Sequence, residues 1–108
     1  MGEARFSVEL TDPAWADLEE IDNYWTARGE AWRGRNYFYA LQEVSVAELD
    51  DPDRARHGRR VRSTVHPDAR EILAFGIYRI IYEIDEPAQR VNILRFWHAH
   101  RHDPRAEL

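Results

Sequence analysis

The chain contains no cysteine and no lysine. The first absence excludes disulfides and thiolate chemistry, and it fits a reducing intracellular compartment. The second removes any amine that could shuttle a proton. All fifteen basic residues are Arg, so every side-chain cation is a planar, permanently charged fork. No apolar run approaches the length of a membrane span, and the N-terminus carries no signal-peptide core, so a cytoplasmic protein without a membrane partner is expected. Internal repeats, linkers and low-complexity tracts are also missing. With 108 residues there is room for one domain, residues 1–108, and not for two. Four Trp, five Tyr and four Phe supply enough apolar surface for that domain to build a core.

Charge is unevenly spread. Residues 1–53 hold thirteen acids against four arginines, a balance of −9, and residues 54–108 hold seven acids against eleven arginines, a balance of +4. A basic half on an acidic chain points to a local anionic or acidic partner rather than to general nucleic-acid binding.

Hydrophobic patterning sets out the elements. "RFSVEL" alternates, with Phe6, Val8 and Leu10 on one side, as a half-buried strand does. "TDPAW" then opens a helix, with Thr11 or Asp12 as N-cap and Pro13 in the first turn. Ala14, Leu18, Ile21 and Trp25 recur at helical spacing, while Asp17, Glu19, Glu20 and Asp22 are expected to face water. Gly29 ends this helix. A second follows over about residues 30–51, with Tyr37, Phe38, Leu41, Val44 and Leu49 inward and Pro52 as its stop. The two form an αα-hairpin. "DPDRARHGRR" reads as a polar connector and "RVRSTV" as a weak strand. "REILAF", "GIYRIIYEID" and "RVNILRFWHA" read as stronger strands, the last two joined by a turn at "DEPAQ". The expected class is α+β: an N-terminal strand, then a helical hairpin packed on one face of a mainly antiparallel sheet of three to five strands, in the order β-α-α-β-β-β.

In "VELTDPAWADLEEI", "REILAFGIYRIIYEID" and "VNILRFWHAHRHDP" the chain resembles the ParE/RelE superfamily of toxins from bacterial type II toxin–antitoxin (plasmid stabilization) modules. Ala14, Asp17 and Leu18 occupy the family's A-x-x-D-L positions, and the succession covers nearly the whole chain. The resemblance implies the same β-α-α-β-β-β layout. It also implies a cognate antitoxin of ParD or RelB type, a toxin–antitoxin hetero-oligomer and no cofactor. The superfamily divides by target: ParE-like members poison DNA gyrase, and RelE-like members cut mRNA on the ribosome.

Candidate site residues follow from strand parity. If Tyr78, Ile80 and Tyr82 meet the helices, Arg79 projects from the open face of the sheet. There it either grips a phosphate, as the matching arginine does in nuclease members, or bridges to Glu83 or another neighbouring carboxylate. His98 and His100 could act as general acid or base, with Arg101 holding phosphate, if the chain is RelE-like. The tail departs from that pattern: it has no Lys, and no Tyr after Tyr82, where nuclease members often carry them. His98, His100 and His102 share one parity, but the turn at Asp103–Pro104 interrupts the strand, so no metal site is expected. Arg59, Arg60 and Arg62, within the run "RARHGRRVR", suit an acidic antitoxin segment, a nucleic-acid phosphate or solvent equally. Trp97 shares the parity of Arg95, opposite Leu94, and is expected to face outward as a partner contact. Trp15 and Trp32 belong either to the core or to a partner-facing patch.

Overall fold

The structure, a computed structural model, describes residues 4–99. Its elements in chain order are β1 (Ser7–Leu10), α1 (Asp12–Ala27), α2 (Ala31–Leu49), α3 (Pro52–Arg56), β2 (Arg59–Arg60), β3 (Arg70–Ala74), β4 (Tyr78–Asp85) and β5 (Arg90–His98). Thr11 is the N-cap of α1, its hydroxyl accepting from the Ala14 N–H. Gly29, at φ 77°, supplies the left-handed residue that turns the chain from α1 into α2. The helices then approach so closely that a Cβ on Gly34 would lie 2.6 Å from the Asp22 carbonyl oxygen. Only glycine allows that approach. No helix among the described residues is long and apolar enough to cross a membrane.

The five strands form one sheet in the order β1-β5-β4-β3-β2. Strands β2 to β5 are joined by consecutive antiparallel connections, as expected. β1 lies parallel to β5, because the helical hairpin and three strands intervene between them. Three residues, 75–77, separate the register partners Ala74 and Tyr78; Phe75 and Gly76 have positive φ (54° and 73°), and the Ile77 N–H closes the turn on the Ala74 carbonyl. Phe75 takes this conformation at a cost of about 1 kcal/mol or more, and its ring lies 6.0 Å from that of Tyr37.

Three local readings change. The connector after Pro52 contains a short helix, α3, whose N-cap Asp51 accepts from the Asp53 N–H at 2.9 Å. The "RVRSTV" strand shrinks to Arg59 and Arg60, because Val61 turns inward and its N–H bonds to the Ala69 carbonyl. The third change is a bulge. Ile81 pairs with Arg95 but Tyr82 with Ile93, so Leu94 is the extra residue in β5. Ile93 and Phe96 therefore both face the helices, and Leu94 joins Trp97 on the other side.

The main core lies between helices and sheet, from Ala14, Leu18 and Leu41 to Tyr78, Ile80, Tyr82, Val91, Ile93 and Phe96. A smaller cluster, Val61, Ala69, Ile81, Leu94 and Trp97, lies on the opposite face of the sheet. Trp97 is thus on the predicted side of the strand, but it is only 2% exposed. Val61 and Ala69 cover it together with Ile81 and Leu94 of the sheet, and the Arg95 guanidinium lies 4.7 Å from its ring centre.

Tyr82 anchors the far end of the main core. Its hydroxyl donates to the Ala55 carbonyl at 2.6 Å, and a Cβ on Gly58 would collide with that hydroxyl. Burial pushes its ionisation up to about 12 from an ordinary 10, with nearby Arg70 opposing the shift. A phenol raised in this way contributes its full stabilisation below pH 10 and loses it as pH rises through 12. Denaturant unfolding should therefore show a limb of falling stability between pH 10 and pH 12, of about 2 to 3 kcal/mol at about 1.4 kcal/mol per pKa unit. Tyr82→Phe should flatten that limb and cost about 1–2 kcal/mol at neutral pH, since the Ala55 carbonyl is left unpaired.

Candidate functional site

The described candidate residues fall in separate places: Arg79 and Trp97 on the sheet face away from the helices, His98 at the end of β5, and Arg59, Arg60 and Arg62 at the outer sheet edge. Arg79 projects from the middle of β4 onto that open face, as parity requires. It is not free there. Its Nη1 donates to both carboxylate oxygens of Glu71, at 2.9 and 3.1 Å. Glu71 is on β3, two residues from Leu73, the register partner of Arg79, and so diagonal to Arg79 on the same face; its side chain is 9% exposed. Arg59 of β2 approaches the same carboxylate at 3.8 Å but remains largely in solvent. Two guanidinium groups thus share one buried carboxylate. A shallow groove of about 310 Å³ opens beside them, walled by Arg59, Glu71, Leu73, Arg79 and Ala99. Of the two fates open to Arg79, the structure places the carboxylate bridge, with Glu71 in the role considered for Glu83. Glu83 instead lies 3.3 Å from His66. Glu71 was legible only given the connection length: with three residues, 75–77, between Ala74 and Tyr78, the register opposes Leu73 to Arg79 and puts Glu71 diagonal to it on the same face.

His98 is on the other side of the sheet. Tyr78 and His98 are register partners, and their rings meet edge to face at 5.8 Å. Tyr78 in turn accepts a hydrogen bond from Trp25 Nε1 at 3.0 Å and packs against Tyr37. His98 therefore belongs to the aromatic cluster under the helices, whereas the register partner of Arg79 is Trp97. The structure does not bring Arg79 and His98 together on one face. His100 and Arg101 lie outside the described residues, as does His102.

Arg59, Arg60 and Arg62 gather at the outer edge of the sheet. Arg59 and Arg60 form β2 itself, Arg60 pairs loosely with Asp68 at 3.6 Å, and Arg62 is exposed. Arg56, from the same run, is not part of this strip. It makes two hydrogen bonds to Glu86 at 2.8 and 2.9 Å and holds that carboxyl below its ordinary ionisation range.

The residue that the sequence reading placed wrongly is Asp17. It was expected in water, yet it is 5% exposed. Its Oδ2 accepts the Phe96 backbone N–H at 2.9 Å and the Arg95 Nε at 2.7 Å, and its Oδ1 accepts Arg95 Nη2 at 2.9 Å. The reason is an unpaired sheet edge: β1 pairs β5 only as far as Ile93, and Asp17 serves the exposed amide beyond it.

The family model of the ParE toxin of the type II toxin–antitoxin system parDE matches residues 8–103. The chain belongs to the ParE toxin family. No curated protein matches it in a sequence comparison. Among solved structures, this ParE-family chain is similar to a chain of the toxin–antitoxin complex RelBE2 from Mycobacterium tuberculosis, with a TM-score of 0.66 and 23% identity over 88% of this chain and 92% of that one. It is also similar to a chain of the chromosomal ParDE toxin–antitoxin system from P. aeruginosa, with a TM-score of 0.71 and 18% identity over 89% of this chain and 98% of that one. At these identities the likeness is one of fold, and it agrees with the expected α+β layout.

The Arg79–Glu71 pair is part-buried, so removing its carboxylate leaves a guanidinium without its partner. Glu71→Ala should cost about 1–3 kcal/mol in chemical denaturation. Arg59→Ala, which removes only the exposed and longer contact, should cost less than about 0.5 kcal/mol.

Proposed function

We propose that this ParE-family toxin acts by binding rather than by catalysis: held by a cognate antitoxin of ParD or RelB type in a hetero-oligomer, it inhibits DNA gyrase in the cytoplasm when released. Membership of the ParE family supports the choice of target. The observation that carries the non-catalytic reading is the division of Arg79 from His98. A ribonuclease of RelE type needs a cation for the scissile phosphate and a proton-transfer group within hydrogen-bond reach of the same atoms. Here Arg79 spends its charge on Glu71 and His98 lies across the sheet, under the helices.

The antitoxin reading rests on charge and edge. Arg59, Arg60 and Arg62 line a sheet edge that ends in a strand of two residues, so one flank offers both backbone groups and guanidinium groups. An acidic, extended segment that orders on contact suits that flank. Trp97, buried beneath the 61–69 segment, would not take part directly.

Two reactions with the purified toxin separate the targets. Added to gyrase and supercoiled DNA, it should accumulate cleaved complexes. Added to ribosomes translating a defined message, it should leave the mRNA intact. Arg79→Ala, checked for folding by circular dichroism, should keep most of its growth inhibition. Cut mRNA together with loss of inhibition in Arg79→Ala would overturn the binding reading in favour of the RelE-like one, with Arg79, His98, His100 and Arg101 as its candidates.

A further inference from the structure

Three of the exposed large apolar side chains lie on α2 at a constant spacing of seven: Trp32 (62% exposed), Tyr39 (54%) and Val46 (46%). Seven residues are close to two turns, so the three fall in one line along the helix. The buried line of Gly34, Leu41 and Ser45 runs along the opposite side. The stripe therefore looks away from the core. It also widens onto α1: the Tyr39 ring meets Phe38 edge to face at 5.2 Å, and Phe38 lies 6.4 Å from the 40%-exposed Trp15. Single exposed apolar side chains need no explanation, but an aligned and connected set marks a contact surface.

Charge indicates what covers it. Along α2, Arg33 and Arg35 precede Tyr39, and Glu43 and Glu48 follow it. Arg33 and Glu48 are paired within the chain, to Glu30 and Arg54. Arg35 and Glu43 are exposed and have no ion-pair partner among the described residues.

We propose that this face binds a second copy of the same chain, α2 against α2 in antiparallel orientation, with the two-fold axis passing at Tyr39. About that axis Trp32 of one copy stands level with Val46 of the other, Tyr39 with Tyr39, and Arg35 with Glu43, since each pair is equidistant from residue 39. Such a patch is self-complementary, as an isologous interface must be. A parallel arrangement would instead set Arg35 against Arg35 and Glu43 against Glu43. An acidic helix from a different partner would be favoured at Arg35 and repelled at Glu43. One helix face with a flanking Trp makes a small interface, so the self-association is weak, with a Kd on the order of micromolar to tens of micromolar.

Sedimentation equilibrium of the full chain from about 1 to 200 µM tests this, in a range that brackets the expected Kd. The apparent mass should climb from that of one chain towards twice that value. Tyr39→Arg should raise Kd by about tenfold or more. Arg35→Glu and Glu43→Arg should each weaken the dimer by about threefold or more, and the double variant should recover to within about threefold of the parent, because the charges are exchanged rather than lost. Circular dichroism confirms folding, and Trp32→Glu gives an independent disruption. A chain that stays monomeric throughout, a dimer indifferent to both Tyr39→Arg and Trp32→Glu, or a double variant no tighter than the single ones overturns the proposal.

Discussion

One carboxylate, that of Asp17, fixes where the helical layer sits on the sheet. β1 accompanies β5 only to Ile93, and the chain then leaves the sheet at Thr11 to begin α1. β5 continues to His98 with one edge exposed. Thr11 covers the first part of that edge, its hydroxyl donating to the Ile93 carbonyl at 2.8 Å and the Leu94 carbonyl at 3.2 Å. Asp17, a turn and a half further along α1, covers the next part by taking the Phe96 N–H and both forks of Arg95. A buried carboxylate is costly unless its lone pairs are used, and here three donors use them. The same contact commits one face of β5 to the helices and so decides which side chains are left for the open face.

Much of the fold was legible in the sequence because it depends on period. The alternation in "RFSVEL" and "GIYRIIYEID", the helical spacing of Ala14, Leu18 and Ile21, and the stops at Gly29 and Pro52 are local signals, and each marks an element in the structure. The parts that were not legible depend on tertiary pairing. The bulge at Leu94 carries no local signature, yet it reverses the parity of everything after it, which is how Leu94 and Trp97 share a face. Trp97 was placed on the correct side, but nothing in the strand itself shows that residues 61–69 fold back over it. Asp17 looked like one more acid on a solvated helix face. Its burial follows from where β1 ends relative to β5, a relation between residues about eighty positions apart.

The candidate site shows the same division. Parity alone put Arg79 on the open face, and the structure agrees. Its partner was harder to name, because the choice between Glu83 and Glu71 depends on the length of the hairpin connection. With Arg79 tied to Glu71 and His98 edge to face with Tyr78, the two described members of the expected active centre lie on two surfaces. Binding surfaces tolerate that dispersal and active sites do not. Two separate exposed surfaces remain: a basic sheet edge around Arg59 and Arg60, and an aromatic line along the outside of α2.

A double-mutant cycle between Asp17 and Arg95 tests the central claim most directly, with unfolding free energies measured for the parent, Asp17→Ala, Arg95→Ala and the double variant. The account predicts a coupling energy of about 1.5–3 kcal/mol, together with a cost for Asp17→Ala exceeding that for Arg95→Ala, since only Asp17 also holds the Phe96 amide. Additive effects, with coupling below about 0.3 kcal/mol, would show that the two side chains are neighbours without being the joint between helix and sheet.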